Sequence, residues 1–392
     1  MDAGRAWHPG SWRGCTAAQL PLYADAAALA EVERTLSQAA AVAAIDQSEA
    51  LKSLLAEAAA GRALLLQGGD CAETLEPPSP ARVHALAELF GAIARQLGRG
   101  FDLPLVQVAR IAGQFAKPRS MATERQGDRS LPAWRGDSIN AQRFEGTARV
   151  PDPRRMLLAH AHALATRALL PDCLFTSHEA LLLPYEEPLI RRDPTTGRHW
   201  SVSGHMLWVG DRTRQVDGAH VEFLSGIANP VGMKCGPELS AEDLLTLCDR
   251  LDPAREPGRL TLIVRLGAER IGDLLPGWLR AVGRAGRAPL WISDPMHGNT
   301  EREAGRKIRR LERIAAEAEA FFAIARSEGA WPGGLHIEMV PEPVTECLGG
   351  RGPATIAEMD ANFRSACDPR LNPDQALQLA EVVARIGRKA AA

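Results

Sequence analysis

Short apolar runs recur along this chain, and each stops at a charged, sulfur-bearing or imidazole side chain. Ala63 to Gln67 (ALLLQ) runs into GGDC with Cys71, and Leu105 to Ala109 delivers Arg110. LFTS precedes His178 and Glu179, MLWVG precedes Asp211 and Arg212, and VGM precedes Lys234. LTLIV precedes Arg265, LWIS precedes Asp294 and His297, and LHIEM carries His336 and Glu338. Apolar runs of this length, separated by helical patterns, read as parallel strands. Eight of them predict a closed (β/α)8 TIM barrel, an α/β fold whose chemistry sits at the strand C-termini.

The helical patterns between the runs carry their own start signals. Ser79, followed by Pro80 at the first helical position, opens a helix in which Val83, Leu86, Leu89 and Phe90 recur at helical spacing. A second helix is expected from Asp152 to about Leu170, with Pro153 at its start, and a last one from Pro373 to about Arg388. Ahead of the barrel lie a Trp- and Pro-bearing arm up to Tyr23 and an Ala-rich helical pattern from Asp25 to about Ala60. We therefore expect residues 1–60 to form an N-terminal arm and helix, without a strand partner, packed on the barrel or on a partner subunit, and residues 61–392 to form the catalytic barrel. Met121 to Asn140 is polar, carries RQGD and WRGD, and reads as an active-site loop.

Composition narrows the function. Lys plus Arg number 46 against 48 Asp plus Glu, a net charge of −2, so no global field favours nucleic acid or an anionic membrane. No apolar stretch approaches the roughly 20 residues of a membrane span, and the polar opening Met1 to Gly10 has no signal-peptide core, which points to a cytoplasmic protein. The seven cysteines are odd in number and lack a disulfide-framework spacing, so free thiols are the default. Cys347 and Cys367 lie beside candidate site residues, where oxidation would pair them with each other or with Cys71. An N-terminal arm of this kind favours a homodimer or a higher homo-oligomer.

Two sets of polar residues carry the chemistry. Cys71, His297, Glu338 and Asp368 are far apart in sequence but share strand-end positions. Their thiolate, imidazole and two carboxylates suit Mn²⁺, Co²⁺, Fe²⁺ or Zn²⁺ rather than Mg²⁺. Taken singly, a cysteine after two glycines is as readily a small buried residue, and His336 a core histidine. The second set is cationic: Arg110, Lys117, Arg119, Arg212, Lys234 and Arg265, isolated in apolar or Gly-rich surroundings where an unpaired charge is costly. Converging on a barrel mouth, they match phosphate and carboxylate, and six exceed what one phosphate needs.

QGGDCAE, RIAGQFAKPRS (Arg110 to Ser120), WRGDSIN, TSHEALLLPYE, RTRQVDGAH (Arg212 to His220), NPVGMKCGP, DPMHGNT, VTECLGG and CDPRLN together closely resemble the class II 3-deoxy-D-arabino-heptulosonate 7-phosphate (DAHP) synthases, in the family's order, from about Trp12 to the final helix. The resemblance implies a transferase that condenses phosphoenolpyruvate with erythrose 4-phosphate at the start of the shikimate pathway. It implies that Cys71, His297, Glu338 and Asp368 bind the metal and that Arg110, Arg212, Lys234 and Arg265 hold phosphoenolpyruvate. Lys117, Arg119 and Ser120 would meet the sugar phosphate, with Lys117 and Lys234 also catalytic.

Where the family usually has Glu, this chain has Asp211, expected to position the attacking water or its proton. His178 and Glu179 are read either as supports of the site or as ordinary structural pairs. The segment Ala163 to Phe175 is short beside the long forms, which insert helices there for feedback inhibition by aromatic amino acids. That implies an enzyme without this control, and short forms of this kind often serve secondary metabolism. An aminoDAHP synthase of an aminoshikimate pathway, a non-catalytic paralogue, and a metal-dependent phosphohydrolase or simple aldolase are the rival readings.

Overall fold

All eight apolar runs are strands in the computed structural model, which describes residues 6–303 and 305–391. They are β1 Leu64–Gly69, β2 Leu105–Arg110, β3 Leu174–Glu179, β4 Met206–Val209, β5 Val231–Cys235, β6 Leu260–Val264, β7 Leu290–Ser293 and β8 Pro332–Glu338. Each pairs in parallel with its sequence neighbours, and β8 returns to β1, closing the barrel. Such strands are buried on both faces, inside by one another and outside by helices, which is why they read as unbroken apolar runs. Part of the opening Met1 to Gly10 lies outside the described residues.

The Ala-rich pattern after the arm is two helices rather than one, α1 Ala26–Ser37 and α2 Ile45–Ala59. The break between them forms where the backbone amides of Val42 and Ala43 donate to the carbonyl of Val202 instead of continuing a helical ladder. Helix α2 closes the barrel floor. Its Leu51, Leu55 and Ala58 join Leu65, Val106, Met206, Ile263, Leu290 and Ile292 in one apolar cluster at the strand starts. That stopper leaves the C-terminal mouth as the accessible end. The arm itself packs outside, with the Trp7 indole donating to the Glu222 carbonyl at 2.9 Å and Trp12 to Glu187 Oε2 at 2.8 Å. It gains one bridge that its sequence does not announce, Thr16 to Gly218.

Helix α3, Pro80–Phe101, starts where Ser79 and Pro80 place it, and the Ser79 side chain accepts from the Arg82 amide. It packs on α9, the closing helix Pro373–Ala391. A Cβ at Gly100 would come within 2.6 Å of Ala384, so glycine permits that approach. Between them in chain order, α4 Arg155–Arg167 leads to β3 through residues 168–173, and α5 Ala219–Gly226, α6 Ala241–Leu251, α7 Ile271–Arg284 and α8 Leu311–Ser327 cover the remaining strands.

The polar stretch after β2 is not wholly irregular. Thr123–Gln126 and Arg129–Pro132 pair as an antiparallel hairpin turning through Gly127 at φ +57°, a conformation that favours glycine. A second hairpin, Glu301–Glu303 with Arg306–Ile308, follows β7. Among the described residues no helix is long and apolar enough to cross a membrane.

Because Leu55 is fully buried in the floor, Leu55→Ala is expected to lower unfolding free energy by about 2–5 kcal/mol, read from urea denaturation.

Candidate active site

Strand register brings the first charges together. Gly69 at the end of β1 lies opposite Arg110 on β2 and Glu338 on β8, so their side chains flank a position that has none of its own. Arg110 Nη2 donates to Glu338 Oε1 at 3.0 Å, and Arg309 Nη1 donates to Glu338 Oε2 at 2.6 Å. His297 Nε2 lies 3.1 Å from Glu338 Oε1. Burial alone would raise the Glu338 carboxyl, but His297, Lys117, Arg309 and Arg110 outweigh it and hold the group well below the usual carboxylate range. For Asp368, too, burial is overcome by cations, Lys117 foremost, with the same outcome.

Potential metal donors meet at this point in two overlapping trios: His297, Glu338 and Asp368, and Cys71, Cys367 and Asp368, each with its ligand atoms within 4.8 Å of one another. The point attracts positive charge. Lys117 Nζ lies 3.2 Å from Cys71 Sγ, 2.9 Å from Asp368 Oδ2 and 3.6 Å from Glu338 Oε1. This donor set fits a divalent ion of mixed preference. The free-thiol expectation does not hold for two cysteines, since Cys71 and Cys367 are joined as a disulfide where the loop after β1 meets the CDPRLN loop. Only reduction would free the Cys71 thiolate as a ligand.

The cationic set shares one cavity. Arg110, Lys117, Arg119, Ser120, Arg212, Lys234 and Arg265 all line a space of about 710 Å³ at the barrel mouth, with Asp211, His297 and Asp368. Its walls carry ten Lys and Arg side chains against five Asp and Glu, a field suited to anions. Contrary to the sequence reading, most of these cations are already paired: Arg110 with Glu338, Lys234 with Asp294 at 2.5 Å, Arg265 with Asp211 at 2.6 Å and Arg119 with Glu124 at 2.7 Å. Yet Arg110 Nε, Arg265 Nε and Arg309 Nη2 are buried donors without partners, which an anion would satisfy. Arg212 Nη2 donates to Ser120 Oγ at 2.6 Å. Asp211 commits both carboxylate oxygens, Oδ1 to Arg214 at 2.9 Å and Oδ2 to Arg265.

Buried groups behind the wall fix these side chains. His336, its ring pKa depressed by burial and by nearby Lys234 and Arg110, is neutral; its Nε2 accepts from Arg110 Nη1 at 2.7 Å, and Nδ1 faces Gln67 Oε1 at 2.7 Å. It is thus the satisfied core histidine, and it aims Arg110. Glu73 accepts from the amides of Ala112, Gly113 and Gln114 at 2.8–3.0 Å. That clamp holds Ala112 at φ +61°, a strained backbone for a residue with a Cβ, between Arg110 and Lys117. Glu317 on α8 does the same for the loop after β6, accepting from Leu266 and Gly267 and from Asn299 Nδ2 at 2.7 Å, and burial raises its carboxyl to about 8. His178 pairs behind the wall with Glu186 at 2.8 Å.

Lys307 and Arg309 are the site residues that sequence reasoning missed. Lys307 Nζ donates to Asp368 Oδ1 at 2.6 Å, and Arg309 is fully buried. They sit in the charge-rich EREAGRKIRR, where nothing in the local sequence separates the buried Arg309 from the exposed Arg302.

A family model described as "Class-II DAHP synthetase family" matches residues 7–173 and 169–384 of this chain. The chain is 39% identical to the phospho-2-dehydro-3-deoxyheptonate aldolase of Streptomyces coelicolor, over 96% of this chain and 97% of the relative. It is 41% identical to a probable phospho-2-dehydro-3-deoxyheptonate aldolase of Pseudomonas fluorescens, over 93% of each. With the phospho-2-dehydro-3-deoxyheptonate aldolase AroG of Mycolicibacterium smegmatis it shares 39% identity over 87% of this chain and 86% of the relative.

Burial lowers the Lys234 ammonium to about 8, against the raising effect of Asp294. It is therefore a cation below that pH and neutral above it. Inorganic phosphate binding, followed by calorimetry, is expected to weaken as pH rises through about 8, and Lys234→Ala is expected to flatten that dependence.

Proposed function

The chain belongs to the class-II DAHP synthetase family, and from that premise we propose that it condenses phosphoenolpyruvate with erythrose 4-phosphate and water to give DAHP and phosphate. The observation that carries this reading is the gathering of seven anion-binding candidates in the one cavity that also holds His297 and Asp368. Two phosphorylated substrates call for the six cations among them, whereas a phosphohydrolase acting on one does not.

In this reading Arg110, Arg212, Lys234 and Arg265 hold phosphoenolpyruvate, and Lys117, Arg119 and Ser120 hold the sugar phosphate. The Arg212 to Ser120 hydrogen bond joins the two groups, so the substrates would be fixed relative to each other before reaction. His297, Glu338, Asp368 and reduced Cys71 would hold a divalent ion, which supplies Lewis acidity toward the aldehyde oxygen. Lys307 and Arg309 neutralise the outer oxygens of the two carboxylates and so keep them aimed inward. Asp211 would hold Arg265 against the bound phosphoenolpyruvate.

We also propose that aromatic amino acids do not inhibit this enzyme. Helix α4 passes into β3 through residues 168–173 alone, with no room there for added helices. The family match divides at residues 169–173, and the Streptomyces alignment spans 435 positions against this chain's 392 residues. An enzyme free of that control suits the supply of secondary metabolism.

Phosphate release by reduced, Mn²⁺-loaded protein is expected only when both substrates are present, and EDTA is expected to abolish it. Release from phosphoenolpyruvate alone would sink the synthase reading. Millimolar Phe, Tyr or Trp, singly or combined, is expected to leave the rate unchanged, and a saturable loss of rate would show that a control site exists elsewhere.

A further inference from the structure

Five acidic side chains line the active-site cavity, and four of them are committed to cations. Asp211 is held by Arg214 and Arg265, Asp368 by Lys117 and Lys307, Glu124 by Arg119 and Arg149, and Glu301 by Arg313. Glu179, at the end of β3, is the exception. Its Oε1 is buried without a hydrogen-bond partner, an expensive arrangement for a carboxylate that does nothing.

Its surroundings are built around that carboxylate. Arg110 on β2, Lys117 in the following loop, Arg212 after β4 and Lys234 on β5 all act on it electrostatically. Gly210 presses so close to Oε1 that a Cβ there would overlap it, so only glycine leaves the carboxylate in place. On its inner side Glu179 lines a second void of about 10 Å³, room for a single water, shared with Ser138, Tyr185 and Glu186. Glu186 is already bound by His178 and Ser203 and so is not free to replace it.

We propose that Glu179 is the proton acceptor for the water that adds to C2 of phosphoenolpyruvate, an inference that rests on the synthase reading above. As C3 of phosphoenolpyruvate bonds to the aldehyde carbon, the enol π pair is consumed and C2 becomes electron-deficient. The water oxygen bonds to C2 and one of its protons passes to Glu179. That proton then moves to the alkoxide left on the former aldehyde carbon, which restores the carboxylate. When the hemiketal collapses, the C2–O bond to phosphate breaks, C2 becomes a ketone, and the second water proton leaves with the phosphate. Asp211, tied at both oxygens, orients Arg265 instead.

Burial raises the Glu179 carboxyl, against the lowering pull of Lys117, Lys234, Arg212 and Arg110. A base that must be ionised gives kcat/KM an acidic limb, with activity present above its pKa and lost as pH falls through it. The limb from Glu179 therefore lies at higher pH than an ordinary glutamate would give.

The test compares full-length, reduced, Mn²⁺-loaded wild type with Glu179→Gln, by phosphate release from both substrates across pH and by calorimetric binding of phosphoenolpyruvate. The variant is expected to lose about 10²–10⁴-fold in kcat, to lose the acidic limb and to keep its affinity for phosphoenolpyruvate. Wild-type kcat, or a wild-type acidic limb, in Glu179→Gln overturns the proposal. If that variant does not fold, Gly210→Ala, which displaces the carboxylate without removing it, is expected to lose kcat with binding retained, and an unchanged kcat overturns the proposal equally. Wild-type protein that releases no phosphate from the two substrates removes the synthase reading itself, a result visible before any variant is assayed.

Discussion

The site turns on one buried carboxylate. Glu338 has no solvent exposure, and a charge so placed is stable only if cations surround it. Arg110, Arg309, Lys117 and His297 converge on it from β2, from the position just after the β7 hairpin and from two loops. Every one of those groups belongs to the reacting end of the barrel. Removing Glu338 would leave several cations facing one another in a dry space, and removing any cation would leave the carboxylate short of a partner.

That arrangement demands a closed barrel with a blocked floor. Closure brings β8 against β1, so residues from the end of the chain meet Gly69 and Cys71 near its start. The floor is sealed by Leu51, Leu55 and Ala58 of α2, which confines the cavity to the C-terminal mouth. Support then comes from carboxyls that never face the cavity: Glu73 braces the loop between Arg110 and Lys117, and Glu317 braces the loop after Arg265. Such groups explain how long polar loops can hold cations at fixed positions without regular secondary structure.

Compactness also shows in the connection after α4. Helix α4 runs into β3 through residues 168–173, and the family match divides there. That connection lies outside the closed sheet and carries no residue of the cavity wall, so its length bears on the barrel exterior and not on the cavity.

The eight strands and the charge at each strand end were legible in the sequence, because a strand buried on both faces must be continuously apolar and a barrel must end it where chemistry is exposed. The cations that line the cavity and the candidate metal donors were legible for the same reason, helped by long motifs in a fixed order. Local signals also placed α3, through Ser79 and Pro80. The break between α1 and α2 and the roles of Lys307 and Arg309 were not legible, since each depends on a partner distant in sequence, and the hairpin around Gly127 was not because its strands are polar and carry no apolar alternation. Which cation faces which carboxylate was likewise decided only by tertiary structure: Asp211 is tied to Arg265 and Arg214 while Glu179 is left uncommitted, and Cys71 meets Cys367 across 296 residues. Residue type and spacing determine which charges reach the mouth of the barrel, but pairing depends on separations of a few ångströms that only closure of the sheet creates.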